Sequence, residues 1–186
     1  MAEVNPIAAL LEGLHAAQAW EKTHTLARGE DLVRPGQTDQ RIYWVESGLV
    51  HAYLPQEDQL QTIRLGYTGN LIGALDAHFL NQPTAYGIQA LRKTQLRSLS
   101  KTSWEQFLHS DPQWMPHWLR VMELLVVQQM DRERDLLADN PEARYQRVLA
   151  RSPQLFQQVP HKYIASYLRM APETLSRIKK ASQEKG

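Results

Sequence analysis

The densest chemistry in this sequence lies in twenty residues near its C-terminus, His161-Lys-Tyr-Ile-Ala-Ser-Tyr-Leu-Arg-Met-Ala-Pro-Glu-Thr-Leu-Ser-Arg-Ile-Lys-Lys180. Apolar residues fall at Ile164, Leu168, Met170, Leu175 and Ile178, with the small Ala165 among them. Two short helices crossing at roughly 90–120° need apolar faces that meet and a small residue where their axes come closest. Pro172 suits the first turn of the second helix and fixes its start. The face left outside carries Glu173, Thr174, Ser176, Arg177 and Lys180. An Arg can pair bidentately with guanine, a Glu can accept from cytosine, and a Ser or Thr can meet a thymine methyl or a phosphate. The segment therefore fits a helix-turn-helix with a recognition helix at 172–182 and double-stranded DNA as its partner, with Lys162, Arg169 and Lys179 as further cationic contacts. The turn position of that template is usually Gly, because a positive φ is wanted there. Arg169 stands there instead, at a cost on the order of 1 kcal/mol that a phosphate contact would offset.

The charge distribution supports the same reading. The 186 residues carry 21 Lys plus Arg against 20 Asp plus Glu, for a formal net charge of +1. Divided at Pro141, residues 1–140 hold 12 basic and 17 acidic side chains, which is −5, and residues 141–186 hold 9 and 3, which is +6. A basic end on an acidic body is the asymmetry expected of a chain that meets a polyanion.

Other chemistries find little support. The chain has no cysteine, so disulfides, thiolate zinc sites, cysteine-ligated iron–sulfur clusters and cysteine nucleophiles are excluded. The seven histidines, at 15, 24, 51, 78, 109, 117 and 161, form no His-x-His pair and no local ligand cluster, so neither a metal nor another cofactor is expected. The adjacent carboxylates Glu30-Asp31 and Glu57-Asp58 mark turns rather than an acid–base pair. No nucleophilic triad or phosphate-binding glycine loop is present, so an enzyme, including a cupin-like one, is not expected. The N-terminus lacks the features of a signal peptide and no stretch approaches 18 apolar residues, which points to a cytoplasmic protein without a membrane partner.

Three kinds of element must position the C-terminal helices. Ile7 to Trp20 places apolar groups at 7, 10, 11, 14 and 17, the spacing of an amphipathic helix. From Thr23 to about Ser100, β-rich runs such as Arg41-Ile-Tyr-Trp-Val45 and Gly48-Leu-Val-His-Ala-Tyr-Leu54 alternate with Gly and Pro, which argues for eight or so short strands in a sandwich or small barrel. Trp104 to Leu108 reads as a short helix. A long helix then spans about 113–138, roughly 40 Å at 1.5 Å per residue. Met115, Trp118, Met122, Leu125, Gln129, Arg132 and Leu136 recur at three- and four-residue steps along it, and Leu119, Val121, Leu124, Val126, Val127 and Met130 widen the stripe. Such a helix can be buried in a monomer core or can pair with a second copy. Its length and its apolar character on more than one face favour a homodimer seam through Trp118, Met122, Leu125, Val126 and Gln129. Asp139-Asn-Pro141 breaks it, and a helix over 142–150 follows. The expected class is α+β: a β-roll or jelly-roll sensor domain over 1–111, a long dimerisation helix over 112–139, and a small all-α DNA-binding domain over 140–186.

On these residues the chain resembles the Crp/Fnr family of bacterial transcription regulators. Ala27-Arg-Gly-Glu-Asp-Leu-Val-Arg-Pro-Gly36, Ile42-Tyr-Trp-Val-Glu-Ser-Gly-Leu-Val50 and Gly69-Asn-Leu-Ile-Gly73 are similar to the cyclic-nucleotide-binding β-roll, and Pro172-Glu-Thr-Leu-Ser-Arg177 resembles the family's Glu-x-x-Ser-Arg pattern. Tyr145 and Val159-Pro-His-Lys-Tyr-Ile-Ala-Ser-Tyr-Leu168 resemble the short members found in Bacteroidetes-type bacteria, which lack the β-wing. The resemblance implies Glu173, Ser176 and Arg177 as base readers, tilting of the long helix as the link from β-roll to DNA, and RNA polymerase as a further partner. It also implies a pocket in which a Gly-Glu pair and an Arg-Ser/Thr pair hold a cyclic nucleotide. Aligned without gaps, Ile72-Gly73-Ala74 and Thr84-Ala85 occupy those places, without the acid and the base. Loss of a charge-assisted bidentate partner, worth about 1.5–3 kcal/mol, argues that cyclic AMP does not bind in that manner. The sequence names no effector. The remaining alternative is a sensor or interaction module of the same type whose helical tail does not bind DNA.

Overall fold

The computed structural model describes residues 5–57 and 59–183. The architecture is α+β, as expected. Helix α1 (Pro6–Ala16) starts where the Asn5 side chain accepts the Ile7 N–H at 3.0 Å, and it buries Leu10 and Leu14 one turn apart. Eight strands follow: β1 (Lys22–Leu26), β2 (Asp31–Val33), β3 (Ile42–Ser47), β4 (Leu49–Pro55), β5 (Leu60–Tyr67), β6 (Leu71–Ile72) and, after the short helix α2 (Leu75–Leu80), β7 (Gly87–Ala90) and β8 (Thr94–Leu99). They form two four-stranded sheets, in the orders β1-β8-β3-β6 and β2-β7-β4-β5. Val33, Val45, Val50, Ala52, Ile88, Ala90 and Leu96 fill the space between them, the arrangement that lets half-apolar strands bury one face each. Gly48 makes the β3–β4 corner at φ +110°. A Cβ there would lie 2.4 Å from the Thr94 hydroxyl oxygen, so the corner excludes any side chain.

Helix α3 (Lys101–Ser110) is capped by Ser100, whose hydroxyl oxygen accepts the Ser103 N–H. The helices α4 (Trp114–Leu136), α5 (Pro141–Arg151), α6 (Pro153–Gln158), α7 (His161–Tyr167) and α8 (Pro172–Gln183) complete the chain. Helix α6 is an addition to the elements expected from sequence. Ser152-Pro153 reads in sequence as punctuation, but proline is tolerated at a helix start, and this short helix buries Leu155. The carboxylate pairs fall as turn markers only in part. The Glu30 carboxylate accepts the Ala27 N–H at 2.8 Å in a turn, whereas Asp31 opens β2, and Asp58 lies outside the described residues.

The chain divides into two compact units, one built from residues up to 124 except 60–62, the other from 60–62 and 125 onward. In the first, α1, α3 and the start of α4 pack on Ile42 and Leu99 around Trp104, whose ring meets Trp118 edge-on at 5.1 Å. The Glu21 carboxylate accepts hydrogen bonds from the Ser100 and Ser103 hydroxyls at 2.6 and 2.5 Å and from Arg41 at 2.9 Å. These partners, the Ser100 hydroxyl foremost, lower its pKa from 4.5 to about 2. A carboxyl depressed on folding contributes stability above its unfolded pKa and loses it as pH falls through the folded value. Glu21→Gln should therefore lower the melting temperature at pH 7 and leave it nearly unchanged at pH 2. Thermal melts at both values check this, and an equal gap at each contradicts it.

In the second unit the buried residues are Tyr145, Val148, Leu155, Val159, Ile164, Ala165, Leu168 and Leu175, with the polar Thr62 and the charged Asp135. Asp135 of α4, 2% exposed, accepts from Arg147 at 3.2 Å and Arg151 at 2.5 Å, joining α4 to α5. Removing Asp135 takes the shared acceptor from two guanidiniums that are 43% and 29% exposed, so solvent offsets part of the loss and the cost is about 1–3 kcal/mol. Asp135→Ala should destabilise this unit by that amount in a denaturant melt, and a loss under about 1 kcal/mol would show that water replaces the carboxylate.

Candidate functional site

The helix pair is set by the chain's own chemistry. Helix α7 follows Pro160 and α8 starts at Pro172, each with proline at or beside its first turn. Ile164, Ala165, Leu168 and Leu175 are buried, as the spacing requires, while Met170 and Ile178 are half-buried. The α7 end closes as a Schellman motif: the Arg169 N–H donates to the Ser166 carbonyl and the Met170 N–H to the Ala165 carbonyl, both at 3.0 Å. Arg169 occupies the C′ position at φ +51°, the conformation expected for the turn.

Two guanidinium groups hold this turn. Arg132 of α4 stacks 3.8 Å over the Tyr167 ring and donates to the Tyr167 carbonyl. Arg144 of α5 donates to the Leu168 carbonyl at 2.7 Å and the Arg169 carbonyl at 3.2 Å. Cations at the C-terminal carbonyls of a helix complement its dipole, and burial pushes the Arg132 pKa down. The sequence pattern places Arg132 in the three- and four-residue spacing of the long helix and gives Arg144 no role. Their carbonyl partners lie 24 to 35 residues away, so no local spacing signals them.

On α8, Glu173, Ser176, Arg177 and Lys180 are exposed. Their spacing of three, four and seven residues gathers them on one face, opposite the fully buried Leu175. Thr174 departs from the expected exposed position. It is half-buried, and its hydroxyl oxygen lies 3.4 Å from Arg177 Nη2, within reach to steady the guanidinium. Lys179 is half-buried as well, Arg169 and Lys162 are exposed, and the Lys162 ammonium sits 4.7 Å over the Tyr163 ring.

Helix α4 is apolar on two sides, and its two sides have separate uses. Trp114, Trp118 and Val121, each half-buried, pack against the core of the first unit. The exposed stripe runs one residue later, through Met115, Leu119, Val126, Val127 and Met130, with Leu119, Val126 and Met130 each about 60% exposed. Met122 and Leu125 are half-buried beside it, and Gln129 is exposed. Leu125, Val126, Gln129, Met130, Arg132, Glu133 and Leu136 line an open groove of about 540 Å³.

In the β-roll, Ile72 and Ala74 are buried and Gly73 abuts the Arg41 carbonyl, where a Cβ would come within 2.8 Å. Thr84 is buried and Ala85 exposed, and both donate to the Asp76 carboxylate. No sequence pattern marks Asp76. His51 and His78 are buried, with His78 Nδ1 2.7 Å from the Gln40 carbonyl oxygen, and burial lowers the His78 pKa. Among the described residues no group of three or more His, Asp or Glu is placed to hold a metal, and no helix is long and apolar enough to cross a membrane.

The cyclic nucleotide-binding domain family matches residues 23–111. No curated protein sequence matches the chain significantly. Among solved structures, a CooA variant from Carboxydothermus hydrogenoformans superposes with a TM-score of 0.77 at 18% identity, over 95% of this chain and 85% of that one. The catabolite activator protein of Thermus thermophilus gives 0.58 at 22% identity over 97% and 88%. A Crp/Fnr-family transcriptional regulator from the same organism gives 0.67 at 18% identity over 89% and 87%. The matched segment runs from the first strand of the eight-strand roll to the end of α3. Residues 23–111 thus match the cyclic nucleotide-binding domain family, and the chain is similar in fold to solved structures that include a Crp/Fnr-family transcriptional regulator.

Proposed function

We propose that this protein is a sequence-specific DNA-binding transcription regulator that acts as a homodimer and does not hold cyclic AMP in the way the family resemblance implies. The observation that carries the proposal is the α8 face, where Glu173, Ser176, Arg177 and Lys180 stand exposed together on a helix anchored by Leu175. Arg177 pairs with guanine, Glu173 accepts from a cytosine amino group, and Ser176 and Lys180 meet the backbone on either side. Lys162 and Arg169 add phosphate contacts from the first helix and the turn, and Thr174 and Lys179 support the face from its flanks. The +6 charge of residues 141–186 doubles to +12 in a dimer.

Pairing along the exposed α4 stripe through Leu119, Met122, Val126 and Met130, with Leu125 and Gln129 at its edge, buries apolar surface that a single chain leaves in water. Two recognition helices then enter successive major grooves about one helical turn, roughly 34 Å, apart. Changes in the β-roll reach the DNA by tilting α4, and contact with RNA polymerase follows from action at a promoter. In the roll, Ala74 and Thr84 replace the acid and the base that a cyclic nucleotide needs, which supports a different effector or none.

Fluorescence anisotropy with a symmetric and a scrambled duplex, over a salt series, tests the proposal. A regulator binds both with affinity falling linearly in log salt, by about 0.9 per phosphate neutralised, and binds the symmetric site at least about 1,000-fold more tightly. Equal, weak binding to both contradicts it.

A further inference from the structure

The loop between α2 and β7 is built as an oxyanion cradle. The Thr84 hydroxyl donates to Asp76 Oδ1 at 2.8 Å and the Ala85 N–H donates to Asp76 Oδ2 at 3.0 Å, so two consecutive residues grip both oxygens of one carboxylate. The Ala77 N–H donates to Oδ1 at 2.9 Å. Thr84 is also held by bonds that do not involve the carboxylate. The Thr84 N–H donates to the Gln37 carbonyl at 2.9 Å, the Gly36 N–H donates to the Thr84 carbonyl at 2.8 Å, and the Tyr86 N–H donates to the Thr84 hydroxyl oxygen at 3.0 Å. The last bond occupies a lone pair of that oxygen and leaves the hydroxyl proton for the anion. The Tyr86 carbonyl, at 3.4 Å, is a second and longer acceptor for that proton. Thr84 is only 2% exposed, whereas Ala85 is exposed, so the cradle has a buried floor and an open side.

We infer that Thr84 and Ala85 form an oxyanion subsite of the β-roll whose resident is the chain's own Asp76 carboxylate, which fills the place a phosphate would take. An incoming phosphate must displace a tethered competitor that needs no diffusion to return, and whose effective concentration is in the millimolar range or above. Displacement would also leave two anions side by side in a half-buried loop. The internal carboxylate ties α2 to the loop before β7 as a bound anion would, so this link in the roll is closed without a ligand. The inference rests on the reading that cyclic AMP is not held in the usual way, and it supplies a cause for it beyond the missing acid and base.

The test compares wild type with Asp76→Gly, following the Ala85 amide by NMR while inorganic phosphate, 3′,5′-cyclic AMP or chloride is added at constant ionic strength. In wild type the Ala85 amide should ignore all three. In Asp76→Gly it should shift saturably with phosphate and with cyclic AMP but not with chloride, with affinity at least about 10-fold above wild type. Thr84→Val in the Asp76→Gly background should abolish the gain. If the glycine variant does not fold, Asp76→Ser, which keeps a polar residue in the first turn of α2, takes its place. A folded variant whose Ala85 amide is indifferent to phosphate, or a wild type that responds to phosphate as strongly as the variant, overturns the inference. Cyclic AMP bound tightly by wild type with the Ala85 amide unmoved would instead refute the reading it rests on and leave the cradle closed.

Discussion

Arg177→Ala should cut discrimination between an operator and a scrambled duplex by at least about 30-fold while leaving the fold intact. The side chain is exposed, so its removal creates no cavity, and within its own chain it makes a long hydrogen bond to the Thr174 hydroxyl at 3.4 Å. A bidentate contact to guanine is worth about 1–3 kcal/mol of discrimination per site. A dimer carries two copies, so the loss should lie between about 30-fold and about 20,000-fold if both half-sites engage. The variant's unchanged circular dichroism, read beside anisotropy on both duplexes, checks the expectation. A folded variant with full specificity would move base reading away from α8.

Val126→Glu with Met130→Glu should convert the dimer to a monomer. Both side chains are 59% exposed in the single chain, so the substitution costs little in the isolated fold. Across a two-fold seam it brings four carboxylates into an apolar strip, where like charges and desolvation together cost several kcal/mol, a weakening of self-association by at least about 100-fold. Analytical ultracentrifugation reads the oligomeric state directly. Specific DNA affinity should fall with it, because each monomer engages one half-site. Unchanged dimerisation in the double variant would place the interface elsewhere. Trp118 makes a useful contrast: its ring packs on Trp104, so Trp118→Ala should lower stability rather than dimer affinity.

How far the sequence reached depended on the range of the interaction. The helix pair was legible because its determinants are local: Ile164, Ala165, Leu168 and Leu175 sit at fixed steps, Pro172 marks a start, and the turn needs one positive φ. Even the awkward residue fell where the template put it, with Arg169 at φ +51° closing the motif. The roll was legible as eight short β runs between glycines and prolines, of which Gly48 is required by its crowding against Thr94. On α4 the three- and four-residue spacing revealed a helix apolar on more than one side, but such a pattern fixes a period and not which side turns inward. The structure sends Trp114, Trp118 and Val121 to the core and leaves Leu119, Val126 and Met130 outside, one residue around from the seam drawn from Trp118. Polar pairs between distant segments left no local trace. The buried Asp135 with Arg147 and Arg151, the Arg132 and Arg144 clamp on the α7 carbonyls, and Asp76 in its cradle all needed the fold to bring them together.

The measurement that bears most directly on the central claim is the selection of random double-stranded DNA on the purified full chain, followed by sequencing of what is retained. A regulator acting as a homodimer through α8 enriches a two-fold symmetric motif whose half-sites are centred about 10 base pairs apart, with a G·C pair in each half that Arg177→Ala no longer selects. Retention of DNA without any enriched motif, or no retention at low salt, would contradict the account.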